Sequence, residues 1–449
     1  MTTPDHRHTI SPLEQIERAV QDRAKAIALD LGGPDGEAQL RHLIDDEILR
    51  WQDDHKRGSR PHALVDPSTV AERAFRNIAR YGPLTPLLDD DDVWEIMINS
   101  PGEIFVKRHQ GLGGYHDEVF EDDDHVVRTL TKILDDSSTS HRKLDPTEGL
   151  QDAQLDTGAR LHIVHGDLAR GGHVMVNIRK FTGVAFTTLD QLVERNMMTA
   201  DVARFLAACV RARASIVFAG APGSGKTTML SCCAGELDPS LRVVTAEEVF
   251  EMDIPVANVA AMQTRAPRAD RPAIDLRRLV SGFLRMAPDV AIVGEVRDRE
   301  ALPLLLTLSS GVKGYTTIHA GSSRQALTRL RFICQLADTT SELPLSALNT
   351  LVSEAIDVVV HSERGPDGPR ITSVVAVEDL IAGVDASQFT ITEVFHRRTV
   401  RDQIAATGSV PSRLTALFER AGLDMSDYRT GPSGADWARL KLDGRDALI

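Results

Sequence analysis

The chain has 449 residues, 42% of them hydrophobic and 26% charged, enough apolar material for two or three separate cores. With 51 basic and 65 acidic residues its net charge is −14, so the molecule as a whole repels phosphate backbones and anionic lipid, and stable nucleic-acid binding is not expected. The four cysteines (Cys209, Cys232, Cys233, Cys334) form no C-x-x-C pair and have no histidine at zinc spacing, the pattern of reduced, buried thiols in a cytoplasmic protein. Residues 301–312 are the longest apolar stretch, too short to span a bilayer, so a protein serving a membrane machine would do so from the soluble side.

Residues 1–70 read as a helical extension, with charged amphipathic helices over 11–31 and 36–56 broken at Gly32, Gly33 and Pro34. Residues 71–186 read as a small α+β domain. Alternating runs at 93–98 and 103–107 flank Asn99, Ser100, Pro101 and Gly102, a hairpin signal; a helix over 126–134 and strands at 159–164 and 173–179 follow. The acidic clusters at 89–92 and 121–124 lack calcium-loop spacing and read as solvated turns.

Residues 187–400 alternate apolar strands with helical stretches, predicting an α/β domain whose mainly parallel sheet carries helices on both faces. Gly220, Ala221, Pro222, Gly223, Ser224, Gly225, Lys226 and Thr227 complete a G-x-x-x-x-G-K-[ST] loop between an apolar run and a helix that continues through Thr228. Small residues let the backbone N–H groups curl round phosphates, with the helix dipole behind them. Lys226 would reach the outer phosphates of ATP, and Thr227 would offer its hydroxyl to Mg²⁺. A strand at 241–246 delivers Glu247 and Glu248 to the sheet edge where ligands sit, and one ending at Glu295 brings a carboxylate toward the terminal phosphate. The run 315–320 carries His319, placed to contact a phosphate oxygen. Runs at 354–361, 370–377 and 389–395 read as antiparallel strands, and 401–449 as short helices with a mobile end.

Taken in order, the phosphate loop, the acidic run 242–251, the segments 284–289 and 293–297, and Thr317 to Ala320 resemble the secretion ATPases of type II and type IV systems. Within these the chain resembles the CpaF branch, the motors of Flp (tight adherence) pilus assembly; residues 177–181 resemble the segment closing that branch's N-terminal domain. The resemblance implies a RecA-like core and Mg²⁺-dependent ATP hydrolysis by a hexameric ring that pushes on an inner-membrane platform protein from the cytoplasmic face. It makes Lys226 and Thr227 the Walker A pair, places Glu247, Glu248 and Glu251 in an acidic box, and makes Glu295 the Walker B glutamate and His319 the histidine box. Glu248, Glu295 and Thr227 would serve the metal, while Arg179 and Arg160 from the N-terminal side would reach the phosphates. Three positions depart from the usual pattern: Glu248 for Asp, Ala287 for Arg and Gly321 for Asn. The same core also serves nucleic-acid translocases, for which the basic loop 265–271 could line a pore; acidic charge and only 4% aromatics argue against that use. A nucleotide switch that does not hydrolyse would leave Glu295 idle.

Overall fold

The computed structural model describes residues 11–109, 113–137, 143–180, 186–265, 272–337, 343–365, 367–379, 388–399 and 401–428. The chain divides into two units, Met1–Thr182 and Gly183–Ile449.

The first unit begins with three helices. Pro12–Ala26 and Gly36–Lys56 match the amphipathic reading, the first capped by Ser11, whose hydroxyl accepts from Glu14 N–H at 3.1 Å. A third, Pro67–Ala79, opens with Pro67 at the first helical position behind the Asp66 cap, where proline's missing N–H costs nothing. Its Ala74 and Phe75 join Ile16, Val20, Leu40, Ile44 and Trp51 in one core, so the helical part runs past residue 70. The rest is a six-stranded antiparallel sheet of β1 Val93–Ser100, β2 Glu103–Arg108, β3 Gly114–Tyr115, β4 Leu150–Gln154, β5 Arg160–Val164 and β6 Met175–Arg179, in the order β3-β2-β1-β6-β5-β4. The hairpin expected at 99–102 closes with Ser100 opposite Glu103. Helix Asp123–Asp136 contributes Val126, Leu130, Ile133 and Leu134 to the core beneath this sheet.

The second unit is built on a nine-stranded sheet: β7 Ile216–Gly220, β8 Val243–Glu247, β9 Val259–Gln263, β10 Val290–Val293, β11 Lys313–Ile318, β12 Val358–Gly365, β13 Gly368–Val377, β14 Ile391–His396 and β15 Ala405–Ala406. Their order is β15-β14-β13-β12-β7-β11-β10-β8-β9. The strands from β9 to β12 are parallel, and the remainder add antiparallel. The sequence reading made the whole C-terminal group antiparallel. In the structure β12 lies parallel to β7, its fully buried run Val358, Val359, Val360 being what an interior strand of a parallel sheet requires. Apolar clusters cover both faces, one including helices Ala200–Arg211, Lys226–Ala234 and Ser412–Arg420, the other Ala301–Ser309 and Leu345–Ala355. This bears out the mixed α/β architecture. Residues 401–428 belong to it, since Leu414, Phe418, Met425 and Tyr428 are buried in the first cluster; residues 429–449 lie outside the described region.

Candidate active site

The expected loop leaves the C-terminal end of β7, with helix Lys226–Ala234 behind it. Its glycines are obligatory. Gly223 and Gly225 have φ of +73° and +81°, and a Cβ on Gly220 would stand 2.3 Å from the Ser362 carbonyl oxygen and 2.4 Å from Ser224 Oγ. Ser224 is buried under the loop, 3.1 Å from Ser362 Oγ, and Arg364 Nη1 donates to the Gly223 carbonyl at 3.2 Å. On the β12 to β14 side, beside the loop, lies a cavity of about 460 Å³ whose wall includes Arg364, Arg370, Arg397 and Arg398.

Lys226 is 7% exposed; its Nζ donates to Ala221 O at 2.9 Å and lies 3.4 Å from His319 Nδ1. His319 follows β11, the strand hydrogen-bonded to β7, and its Nε2 is 2.7 Å from Glu295 Oε1. His319 Nδ1 also lies 3.3 Å from the Gly220 carbonyl oxygen, so the ring stands among the loop backbone, the lysine ammonium and the Glu295 carboxylate. Glu295 follows β10, which pairs with β11 and β8, so one strand separates it from β7, and His319 on that strand bridges the gap.

Glu295 sits low on the acid scale. Burial pushes its carboxyl up, but hydrogen bonds from His319 and Arg297 outweigh this and hold it at about 2. Arg297 Nη2 contacts Glu295 Oε2 at 2.7 Å and its Nη1 contacts Glu248 Oε2 at 2.9 Å. A continuous polar chain therefore runs Lys226, His319, Glu295, Arg297, Glu248 across the ends of β7, β11, β10 and β8. Arg297 escaped the sequence reading as a site residue, although its spacing two residues past Glu295 was the available signal.

The acidic box divides. Glu248 joins this chain, whereas Glu247 is 3% exposed and its Oε1 accepts the N–H groups of Glu251 and Met252 at 2.9 and 3.0 Å, which shapes the turn after β8. Glu247 also explains Gly294: a Cβ there would stand 3.2 Å from Glu247 Cγ. Thr228 and Thr227 open the helix behind Lys226. Among the described residues there is no group of three or more His, Cys, Asp or Glu able to hold a metal ion. A magnesium ion that travels with a triphosphate needs only one or two protein carboxylates beside a hydroxyl, which Thr227, Glu295 and Glu248 could furnish. No helix among the described residues is long and apolar enough to cross a membrane, and Cys209, Cys232, Cys233 and Cys334 are buried and unpaired with one another.

In the first unit, Arg160 and Arg179 are direct cross-strand neighbours on β5 and β6. Glu95, opposite Arg179 on β1, sits 3.7 Å from its guanidinium and 2.8 Å from Lys107 Nζ, so an acid offsets the like charges. Apart from Arg265, the basic loop 265–271 lies outside the described residues.

A phosphate loop on a parallel sheet, answered by a histidine and a glutamate from the next two strands, defines a class that comparison makes explicit: the chain belongs to the type II/IV secretion system protein family, whose model matches residues 78–365. It is 31% identical over 304 residues to the type IV secretion system protein PtlH of Bordetella pertussis, covering 63% of this chain and 88% of that one. It is 30% identical over 309 residues to the conjugal transfer protein TrbB of Rhizobium radiobacter, covering 65% of this chain and 85% of that one. Among solved structures it is similar to the VirB11 ATPase of the Brucella suis type IV secretion system, with 26% identity, 65% of this chain and 91% of that chain covered, and a TM-score of 0.35.

Proposed function

We propose that this chain is a Mg²⁺-dependent ATPase with a RecA-like core, working as a ring-shaped homo-oligomer, a hexamer, that powers Flp-type pilus assembly or type II/IV secretion. It acts from the cytoplasm, peripheral to the inner membrane, on a platform protein there, and belongs to the CpaF branch. The observation that carries this reading is the chain from Lys226 through His319 at 3.4 Å to Glu295 at 2.7 Å, which joins a triphosphate cradle to a carboxylate.

Hydrolysis forms a bond from water oxygen to the terminal phosphorus and breaks the bond to the bridging oxygen. Backbone N–H groups of residues 220–227 hold the phosphates, and Lys226 leaves Ala221 O to take up their outer charge. Glu295 orients the water and assists its deprotonation, while His319, tied to both Lys226 and Glu295, registers whether a terminal phosphate is present. A bound Mg²⁺ would supply charge neutralisation at the phosphate oxygens, held by Thr227 with Glu295 and Glu248. Arg179 and Arg160 bring positive charge that couples hydrolysis to domain movement. In this reading Glu247 contributes by shaping the acidic turn that presents Glu248.

Glu295→Gln should retain ATP with magnesium and lose turnover by about a hundredfold or more, the cost of one positioned catalytic group. Lys226→Ala should lose retention. Unchanged phosphate release in the first variant, or unchanged binding in the second, overturns the proposal. A second reading, a conjugative DNA-transfer ATPase, is favoured by the likeness to TrbB; stimulation of hydrolysis by DNA with steep salt dependence would support it.

A further inference from the structure

Arg297 projects from a turn whose backbone is fixed on both sides. Val296 N–H bonds the Thr317 carbonyl at 2.9 Å, and the N–H groups of Arg297 and Asp298 donate to Glu300 Oε1 at 2.5 and 2.8 Å. Glu300 is itself 5% exposed. From this base one guanidinium meets two carboxylates that different strands bring to the same place, Glu295 after β10 and Glu248 after β8. Its planar fork suits two carboxylates at once. Removing it would take away the guanidinium that the two carboxylates share. Its side chain is 42% exposed, so it has room to withdraw toward solvent.

We propose that Arg297 is a resident placeholder for the divalent cation: it bridges Glu295 and Glu248 while the nucleotide site is empty and releases Glu295 when a magnesium-bound triphosphate enters. This rests on the ATPase reading for the identity of the incoming ligand. A guanidinium neutralises carboxylates but offers no acceptor for a proton of the attacking water, so Glu295 serves the reaction only once Arg297 has let go. The arrangement restricts the site's affinity for free metal and reserves its acids for metal that arrives with its phosphates.

The test uses Mn²⁺ alone, titrated into the nucleotide-free full-length protein and read by electron paramagnetic resonance. Arg297→Gln should bind Mn²⁺ at least about tenfold more tightly than the unaltered chain, a 1.4 kcal/mol change. The gain should vanish in Arg297→Gln with Glu248→Gln. Equal Mn²⁺ affinity in Arg297→Gln, or a gain that survives loss of Glu248, overturns the proposal. A second measurement needs no variant: phenylglyoxal should modify Arg297 faster, by peptide mass spectrometry, when a slowly hydrolysed ATP analogue and Mg²⁺ are bound; an unchanged or slower rate overturns the release step. Nucleotide retention in the same samples separates the two readings, since a chain that retains no ATP refutes the ATPase proposal while the Mn²⁺ titration still reports on Arg297.

Discussion

Gly294 and Gly220 are both glycine for want of room, but the obstacles differ. The Glu247 side chain that crowds Gly294 can yield by a few tenths of an ångström, at the expense of its bonds to the Glu251 and Met252 N–H groups. Gly294→Ala should therefore fold, lose about 1–3 kcal/mol from overpacking, and displace the adjoining Glu295 enough to slow phosphate release. Gly220 has no such latitude, because its missing Cβ would meet the backbone oxygen of Ser362 on the paired strand β12 at 2.3 Å. Gly220→Ala should cost more than Gly294→Ala, because a backbone oxygen in a paired strand cannot move aside as a side chain can. Urea midpoints of the two variants give the ranking, and a milder effect at Gly220 would contradict it.

Among the elements of the second unit, the C-terminal helix Ser412–Arg420 is fastened by two buried acids. Glu378 accepts from the N–H groups of Ser412 and Arg413 at 3.2 and 3.1 Å, capping a helix whose own Pro411 offers no side-chain cap. Burial pushes the Glu378 carboxyl up, and these bonds with those of Thr392 and the Ser412 hydroxyl bring it below the usual carboxylate range. Asp357, 5% exposed, accepts Ser215 N–H at 2.8 Å, Lys313 Nζ at 3.0 Å and Arg413 Nη2 at 2.7 Å, joining the starts of β7 and β11 to that helix. Asp357→Ala would leave two cations and an N–H group without their acceptor; a loss of about 3–5 kcal/mol is expected by urea denaturation, as for other broken buried pairs. In the first unit, helix Pro12–Ala26 carries a pH-dependent element. Burial pushes Glu17 up to about 7, against a 2.6 Å hydrogen bond from Asn77 that favours the charge. A folded value above the ordinary 4.5 means that folding takes up a proton, so stability declines as pH rises from about 4.5 through 7 and levels off above it. Glu17→Gln should flatten that decline in melting curves taken from pH 5 to 8; an unchanged slope would assign it to other groups.

At the scale of the whole molecule, the two units answered to sequence reading unequally. The phosphate loop was legible because glycine spacing between an apolar strand and a helix is a local signature. The partnership of His319 and Glu295 was not, since it depends on β11 lying between β7 and β10, a strand order no local pattern encodes. The same limit hid the parallel pairing of β12 and the bridging role of Arg297. Strands β4 and β9 also went unread: β4 is mostly polar, and the short run Val259 to Met262 of β9 is half alanine, with only Val259 of the β-branched or aromatic residues that mark a strand. The two units nonetheless have separate cores, those of the first around Ile44 and Trp51 and around Leu130, Ile163 and Ile178, those of the second around Phe205, Phe218 and Val293. The phosphate loop, His319, Glu295 and Arg297 all belong to the second unit, whereas Arg160 and Arg179 belong to the first. A fragment of residues 183–449 should therefore melt cooperatively and retain ATP, since every group assigned to the cradle is within it. If Arg160 and Arg179 supply the charge that completes catalysis, the fragment should hydrolyse about 10³-fold more slowly than the full chain, the scale of losing an arginine finger. Arg160→Ala with Arg179→Ala in the full chain should reproduce most of that loss without altering ATP retention. A double variant that hydrolyses normally while the fragment does not would assign the first unit's contribution to assembly of the ring rather than to these two arginines.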